Sequence, residues 1–239
     1  MLEESLIKTL AVKFQTTELN IRREYAQHLF LSYFYQQPET KKVWFKGGTA
    51  LRLIYQSPRF SEDLDFEAAK TSINKLESGI INSLAEIERE GIKAEIIESK
   101  KTTGGYLGEI KFQLKSQKII VLVEVSFRDK NSQGEIQTIV SNFRPPYTLM
   151  SLTTTQMIEQ KIKALLIRQK PRDFYDVYFI LRANLLAVGQ RVILKQVLIK
   201  LRETKIDFKA ELKLFLPKDH WGMIKDFKVA LEREIKRYI

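Results

Sequence analysis

Apolar residues recur every three to four positions in the first part of the chain, which is the period of a helix packed on a core. This spacing predicts helices over residues 2–12 and 18–36, and Pro38 ends the second of them. The pattern then changes to short apolar runs. Residues 43–46 and 63–66 predict two short strands, which flank a helix over 49–55.

A second periodic stretch begins at Ser72, a residue type that caps helices, and ends at Gly91. It predicts a helix over residues 73–90. Alternating and β-branched runs follow, separated by Gly104-Gly105 and by Ser116-Gln117 as hairpin connections. They predict strands over residues 92–98, 106–114 and 118–127, and a weaker strand over 135–140.

Pro145-Pro146 predicts the boundary between two parts of the chain. Beyond it the pattern is helical, and it predicts helices over residues 155–169, 173–183, 190–202, 207–215 and 219–238. We therefore expect an α+β protein with a mixed sheet and flanking helices in residues 1–150 and a helical part in residues 151–239.

Composition narrows the class of protein. Of the 239 residues, 44% are apolar and 29% are charged, which is typical of a globular chain, and there is no cysteine. Disulfide scaffolds, thiolate metal sites and cysteine nucleophiles are therefore excluded. The chain start lacks the pattern of a signal peptide, and no apolar run is long enough to span a membrane, so we expect a cytoplasmic protein with no membrane partner.

The charge is uneven along the chain. Residues 1–150 hold 21 basic and 19 acidic side chains, whereas residues 151–239 hold 19 basic and 10 acidic ones, so that most of the net charge of +11 lies in the second part. A basic part of this kind favours a polyanionic partner such as nucleic acid. An ordinary lysine-rich solvated surface is the alternative.

Two neighbouring carboxylates are the strongest chemical signal. Asp63 and Asp65 lie two positions apart in a predicted strand, so their side chains share one face. Paired carboxylates repel each other unless cations neutralise them, and oxygen ligands favour Mg²⁺ or Mn²⁺. The pair predicts a metal site suited to phosphoryl transfer.

Gly47-Gly48 comes before the helix over residues 49–55, where backbone N–H groups can hold phosphate, and Thr49 adds a hydroxyl. This is not a P-loop, because no Lys-Ser or Lys-Thr follows the glycines. For a third acidic ligand we favour Glu124, which stands among valines in a predicted strand. Glu109 is the competitor, and an edge-strand glutamate facing water is the alternative.

The motifs Lys46-Gly-Gly-Thr-Ala-Leu and Ser61-Glu-Asp-Leu-Asp-Phe66 resemble those of the polymerase-β-like nucleotidyltransferases. Together with residues 159–168 and 171–178 they are similar to the AbiEii-type branch, the nucleotidyltransferase toxins of toxin–antitoxin systems. The resemblance implies a polymerase-β-like mixed sheet in residues 1–150, with the active site completed by residues 151–239. It also implies a Mg²⁺- or Mn²⁺-dependent enzyme that takes a nucleoside triphosphate and releases pyrophosphate.

The resemblance also implies roles for individual residues. Asp63 and Asp65 would bind metal, and Asp176 would be a candidate base or metal-shell group, while a further set would bind the nucleotide: Gly47, Gly48, Thr49, Ser61, Lys161 and Arg172. Glu124, favoured above as the third ligand, is also our first choice for the group that receives the proton of the acceptor, ahead of Asp176. Asp173 is a weaker candidate. A glutamate at position 124, where such enzymes often have aspartate, departs from the pattern. An interhelical salt bridge without chemistry is the alternative for Lys161 and Asp176.

The acceptor is not encoded in a legible motif. By resemblance we expect RNA, first the 3′ end of tRNA, held by the basic residues Arg182, Arg191, Lys195, Lys200 and Arg202. The alternatives are a protein hydroxyl, a nucleotide- or RNA-binding module without transfer, and a kinase or NTP hydrolase. A cognate antitoxin is a further expected partner.

Overall fold

The computed structural model describes residues 2–69, 71–129 and 131–239. By its internal contacts the chain forms two compact units. The first unit contains Met1–Gln56 and Phe60–Leu152, and the second contains Ser57–Arg59 and Thr153–Ile239.

The first unit joins a sheet to helices. Its helices are α1 (Glu4–Lys13), α2 (Glu18–Phe34), α3 (Gly47–Tyr55) and α4 (Ile73–Arg89), and its strands are β1 (Val43–Lys46), β2 (Leu64–Ala68), β3 (Ala94–Thr102), β4 (Gly105–Leu114), β5 (Gln117–Ser126), β6 (Gly134–Ile139) and β7 (Tyr147–Leu152). The sheet is seven-stranded with the order β3-β4-β5-β2-β1-β7-β6. It is mixed, because β2 runs antiparallel to β1 and parallel to β5, and this confirms the α+β prediction.

One face of the sheet carries the core of this unit. Phe45 of β1 and Phe66 of β2 are fully buried, with their ring centroids 5.5 Å apart. Phe34 of α2 packs on Phe66 at 5.2 Å and stacks with Phe30 at 5.1 Å. Because α2 lies against the middle of the sheet, it is buried on nearly all sides.

The sheet continues beyond the predicted boundary. Pro145 and Pro146 do not end the β structure, since β7 follows them directly and pairs with both β1 and β6. The expectation that everything beyond Pro146 is helical was therefore wrong at this strand. Prolines cannot donate to a ladder, but they leave the residues after them free to enter one.

The second unit is helical. Its helices are α5 (Thr154–Arg168), α6 (Pro171–Arg182), α7 (Leu194–Glu203), α8 (Phe208–Phe215), α9 (Trp221–Lys225) and α10 (Phe227–Lys236). The last predicted helix, over residues 219–238, is in fact divided by Asp226. An aromatic cluster of Phe174, Phe208 and Phe227 fills the interior.

No helix within the described ranges is long and apolar enough to cross a membrane.

Candidate active site

Acidic side chains occupy alternate positions where β2 begins. Asp63 directly precedes the strand, and Asp65 and Glu67 lie within it. The intervening Leu64 and Phe66 are fully buried in the core. Because alternate residues of a strand point to opposite faces, the three acids belong to the face away from that core.

Strand pairing places Asp65 between a cation and a second carboxylate. Its register partner on β1 is Lys46, and its partner on β5 is Glu124. Directly paired residues share a face, with their Cβ atoms about 5 Å apart. The two predicted metal-binding acids of different strands are therefore immediate neighbours.

The same register separates the two candidates for the third acid. Glu109 lies on β4, opposite Leu122 of β5, so one whole strand stands between it and β2. Glu124 is on β5, which is interior to the sheet, and its side chain is exposed on the open face. Glu124 is thus the nearer of the two glutamates to Asp65 and does not lie on an edge strand, and its role as third acidic ligand stays a prediction.

Gly47 fits closely against Asp65. Its φ of +88° lies in the left-handed region that favours glycine. A Cβ at this position would overlap the Asp65 carboxylate. The glycine is therefore required twice, once by the backbone turn into α3 and once by the carboxylate beside it.

The backbone in front of Asp65 is fixed by two helices. The Thr49 hydroxyl of α3 donates to the carbonyl of Asp63 at 2.5 Å, and the Thr49 side chain is fully buried. Gln27 of α2 donates its amide to the carbonyls of Ser61 at 3.0 Å and Glu62 at 2.9 Å. These contacts give Thr49 a bracing role, whereas its predicted contact with a nucleotide stays a prediction, as it does for Ser61 and Gly48.

Sequence reasoning missed Glu67, a charged residue of this face that is only 2% exposed. Its carboxylate accepts a hydrogen bond from Lys46 Nζ at 2.6 Å and one from Ser126 Oγ at 2.8 Å. The sequence does contain a signal for Glu67, because this residue continues the alternation of acidic positions that begins with Asp63 and Asp65. The pairing with Lys46 fixes a cation next to the Asp65 carboxylate.

A cleft opens on this face of the sheet. Its volume is about 340 Å³, and Lys46, Asp65, Glu124, Ser126 and Arg128 are among its lining residues. A cavity of this size matches the lower range of ligand sites. Two carboxylates and two cations in one cleft suit a ligand that carries both phosphate and a divalent ion.

The acidic side chains of this cleft provide few protein ligands for a divalent ion. Within the described ranges, no three acidic or histidine side chains converge in an arrangement that would hold a metal on protein ligands alone. Mg²⁺ is usually bound by one or two carboxylates together with water and substrate phosphate. Neighbouring Asp65 and Glu124, with Asp63 preceding them, fit a site that substrate completes.

In the second unit the structure shows an interhelical ion cluster. Asp176 of α6 is 2% exposed and accepts hydrogen bonds from Arg59 Nε at 2.8 Å and from Lys161 Nζ of α5 at 2.7 Å. Burial alone would raise the pKa of Asp176, but the charges and hydrogen bonds of Arg59 and Lys161 outweigh it and lower the pKa to about 2.

A carboxylate with this pKa is a weak proton acceptor. The structure shows this salt bridge, and a role for Asp176 as base stays a prediction. A contact of Lys161 with triphosphate stays a prediction.

Two other predicted residues of this unit also have structural partners. Asp173 accepts from the backbone N–H of Lys170 at 3.2 Å and thereby caps α6, which begins at Pro171. Arg172 Nε lies 3.3 Å from Glu211 Oε1 of α8. Their roles toward a nucleotide remain predictions.

The basic residues that were expected to hold RNA are mostly in contact with acids of their own unit. Arg182 pairs with Glu234 at 3.2 Å, and Arg202 pairs with Glu232 at 2.6 Å. Lys200 lies 3.5 Å from Glu203. These three side chains are thus partly engaged within the second unit, although its net positive charge is unchanged by the pairing.

A mixed sheet with neighbouring carboxylates beside a glycine-led helix suits nucleotidyl transfer, and the comparison with protein families shows that the chain is a nucleotidyltransferase. The family model described as the nucleotidyl transferase AbiEii toxin of a type IV toxin–antitoxin system matches residues 29–236. The chain therefore belongs to the AbiEii nucleotidyltransferase toxin family. Membership implies a nucleoside triphosphate substrate and an antitoxin partner.

Solved structures agree on the fold. JHP933 from Helicobacter pylori is similar at a TM-score of 0.66 and 20% identity, over 93% of this chain and 93% of that one. An H. pylori protein assigned provisionally as a nucleotidyltransferase has the same TM-score and identity, over 93% and 95% of the two chains. None of the curated proteins compared with the chain matches it.

Proposed function

We propose that the chain moves a nucleoside monophosphate from a nucleoside triphosphate to an acceptor hydroxyl, and that the acceptor is the 3′ end of tRNA. The observation that carries the transfer is the pairing of Asp65 with Glu124 on adjacent strands, beside a glycine whose missing side chain leaves room for the Asp65 carboxylate. The tRNA acceptor rests on the family resemblance and on the net charge of +11. We place the reaction in the cytoplasm, where triphosphates and tRNA are both present.

Asp63, Asp65 and Glu124 would hold divalent ions, Mg²⁺ first, which supply charge neutralisation at the α-phosphate and make the acceptor hydroxyl easier to deprotonate. The N-terminus of α3, which receives no side-chain cap from Lys46, would offer its first backbone N–H groups to the triphosphate. Lys46, held by Glu67, adds a fixed positive charge in the same cleft.

The acceptor oxygen attacks the α-phosphorus, and a new P–O bond forms there. The bond between the α-phosphorus and the bridging oxygen breaks, and pyrophosphate leaves with that oxygen. Glu124 accepts the proton of the acceptor hydroxyl, because its carboxylate is exposed on the open face next to Asp65. Positioning and charge neutralisation supply most of the rate gain.

The proposal is tested with total RNA, Mg²⁺ and each nucleoside triphosphate labelled at either the α or the γ position. We expect α-label in a tRNA-sized band and no γ-label in any acceptor. Asp65→Asn and Glu124→Gln should lower the rate at least 100-fold. Glu109→Gln is the matched control, a glutamate of the same sheet one strand further away, and should transfer at close to the wild-type rate.

Each of the other outcomes overturns part of the proposal. Label on protein identifies a protein-modifying enzyme, and γ-label in the acceptor identifies a kinase. Equal loss of activity in Glu109→Gln and Glu124→Gln removes the assignment of the third acid. Full activity of Asp65→Asn would contradict the placement of the active site at Asp65.

A further inference from the structure

Arg128 is a charged residue of the candidate active site to which the proposed mechanism assigns no role. β5 carries Glu124 and ends at Ser126. The pairing with β4 continues past this end, since the backbone N–H of Phe127 donates to the carbonyl of Gly104 at 2.9 Å. Because alternate residues of an extended chain share a face, Glu124, Ser126 and Arg128 project to the same side of the sheet. All three line the active-site cleft.

The guanidinium group of Arg128 is held in place and is available to an anion. Its Nη2 atom donates to the carbonyl of Thr103, in the turn between β3 and β4, at 3.0 Å. Gly104 follows with a φ of +83°, and a Cβ there would lie 2.9 Å from Arg128 Nε, so the glycine leaves room for the arginine. Among the residues that the structure describes, this guanidinium makes one hydrogen bond and no ion pair. Its other N–H donors can therefore bind a ligand.

Arg128 and the N-terminus of α3 lie on opposite sides of Asp65. Across the sheet the order is β1-β2-β5, and α3 follows β1 directly, whereas Arg128 follows β5. Along the strands, Lys46 pairs with Asp65, so α3 begins one residue beyond this level. β5 runs opposite to β1, and Arg128 therefore lies about 13 Å from Glu124 in the other direction. A triphosphate at the start of α3 is thus on the side of Asp65 away from Arg128.

The side of the cleft that contains Arg128 is the side of the acceptor. Glu124 receives the proton of the acceptor hydroxyl in the proposed mechanism, and it precedes Arg128 on the same face of β5. The terminal hydroxyl of an RNA strand has phosphodiesters within one or two nucleotides, whereas a protein hydroxyl has none. A guanidinium matches a phosphate with two parallel N–H···O bonds. An arginine at this place therefore suits an RNA strand better than a protein side chain.

We propose that Arg128 binds a phosphate near the 3′ end of the RNA acceptor and thereby holds the terminal hydroxyl beside Glu124. This inference rests on the proposed transfer function and adds an acceptor subsite to it. Arg128 then acts on the binding of RNA and leaves the binding of the nucleoside triphosphate unchanged.

The first experiment measures α-label transfer by the full chain to a synthetic RNA hairpin with the sequence of a tRNA acceptor stem. KM is determined separately for the RNA and for the nucleoside triphosphate. We expect Arg128→Gln to raise KM for RNA at least tenfold and to leave KM for the triphosphate within twofold. Arg128→Lys should have an intermediate effect, because it keeps the charge without the paired donors. Arg89→Gln, at an exposed arginine near the end of α4, is the matched control and should leave both values unchanged.

The second experiment neutralises the phosphates instead of the arginine. In the same RNA, the last two phosphodiesters at the 3′ end are replaced by methylphosphonates, which carry no charge. We expect kcat/KM for RNA to fall at least tenfold with the wild type and less than twofold with Arg128→Gln, in which the contact is already lost. An unstable variant would lose activity equally with both RNAs, so this difference separates binding from misfolding.

The third experiment measures binding of the labelled hairpin in EDTA, without nucleotide, at a series of salt concentrations. We expect Arg128→Gln to reduce the salt slope by about 0.7, the value for one phosphate contact on a single strand. Arg89→Gln should keep the wild-type slope. Because no transfer is needed, this measurement tests the phosphate contact separately from the reaction.

The outcomes distinguish the subsite from the transfer function. Absence of label on RNA, with the difference in salt slope retained, would contradict the proposed transfer and support the phosphate contact. Transfer with the same KM for RNA in Arg128→Gln and Arg89→Gln would contradict the subsite alone. A raised KM for the triphosphate with an unchanged KM for RNA would assign Arg128 to the nucleotide, and label on protein would identify another class of acceptor. Either of these last two results would overturn the inference.

Discussion

At Gly47 the backbone enters α3 while the Asp65 carboxylate lies where a side chain would begin. Two demands therefore act on one residue, a positive φ and an open volume. They can be separated experimentally, because Gly91 at the end of α4 also has a positive φ, +79°, but has no atom within 4 Å of its hypothetical Cβ.

We expect Gly47→Ala to lower the transfer rate at least 100-fold, because the new methyl group displaces the Asp65 carboxylate. Gly91→Ala, the matched control, should cost about 1 kcal/mol of stability from its backbone conformation and leave the rate unchanged. Thermal unfolding and the rate of α-label transfer measure the two effects. A Gly47→Ala variant that transfers at the wild-type rate would contradict the placement of Asp65.

Sequence reasoning at this scale found the acids that stand in motifs and left the third one open. Asp63 and Asp65 follow from spacing within one strand. The choice between Glu124 and Glu109 depends on which strand lies beside β2, and no local pattern encodes that register. Glu67 was missed because a buried acid needs a partner, and its partner Lys46 had been read only as part of a motif.

At the scale of elements, helices and strands with strong periodicity were predicted to within a few residues. β7 was missed because its six residues follow two prolines and its place in the sheet depends on β1, which is far away in sequence. The division of the last helix at Asp226 was missed because both halves keep one apolar period. The presence of β7 thus depends on pairing with a strand that is distant in sequence, and the division of the last helix depends on a local break at Asp226.

The pair α5 and α6 gives a prediction about stability. Asp176→Asn leaves Arg59 and Lys161 without their buried counter-charge, so we expect the free energy of unfolding to fall by about 3–5 kcal/mol. Glu159→Gln breaks the exposed pair with Lys163 on α5 and should cost less than about 1 kcal/mol. Denaturant titration measures both. If Asp176→Asn abolishes transfer without loss of stability, Asp176 has a chemical role.

The same cluster has a pH signature. The pKa of Asp176 is lower in the folded chain than in the unfolded one, so its contribution is complete above about pH 4 and is lost as the pH falls toward about 2. Asp176→Asn should remove this part of the acid sensitivity. An unchanged acid profile in that variant would contradict the assignment of the ion cluster.

At the scale of the whole molecule, the net charge of +11 indicates a polyanionic partner but not where that partner binds. The positions of the basic side chains that lack an acidic neighbour are more informative about the place of binding. Several arginines of the second unit are paired with acids, whereas Lys41, Lys42 and Lys75 of the first unit form no ion pair with any described residue. Composition predicted a polyanion partner, but the candidate sites of contact became visible only with the folded chain. The reason is that ion pairing joins residues far apart in sequence.

His28 connects the stability of the first unit to pH. Its ring is 3% exposed and lies 2.8 Å from the Tyr147 hydroxyl, and burial, together with the charge of Arg52, lowers its pKa to about 3. Below about pH 6.5 this histidine is protonated in the unfolded chain but stays neutral in the folded chain. Stability should therefore fall by up to about 1.4 kcal/mol for each pH unit between about pH 6.5 and the folded pKa of about 3.

His28→Gln should flatten the dependence of unfolding free energy on pH between 6.5 and 5, where few carboxylates titrate. Ser78→Ala, an exposed position of the same unit that does not titrate, is the control and should keep the wild-type slope. Urea titrations at a series of pH values measure this. The same slope in His28→Gln and wild type would show that His28 is not the group responsible.

The parallel pairing of β2 with β5 joins parts of the chain made at different times during translation. Glu67 and Ser126, which meet across it, are 59 positions apart, and the second half of the carboxylate pair is carried by the later strand. A ribosome that has released only the chain up to β4 has exposed Asp63 and Asp65 without Glu124 beside them. We therefore expect that a product truncated before β5 has no transfer activity, because the carboxylate pair forms only when this long-range strand pair forms.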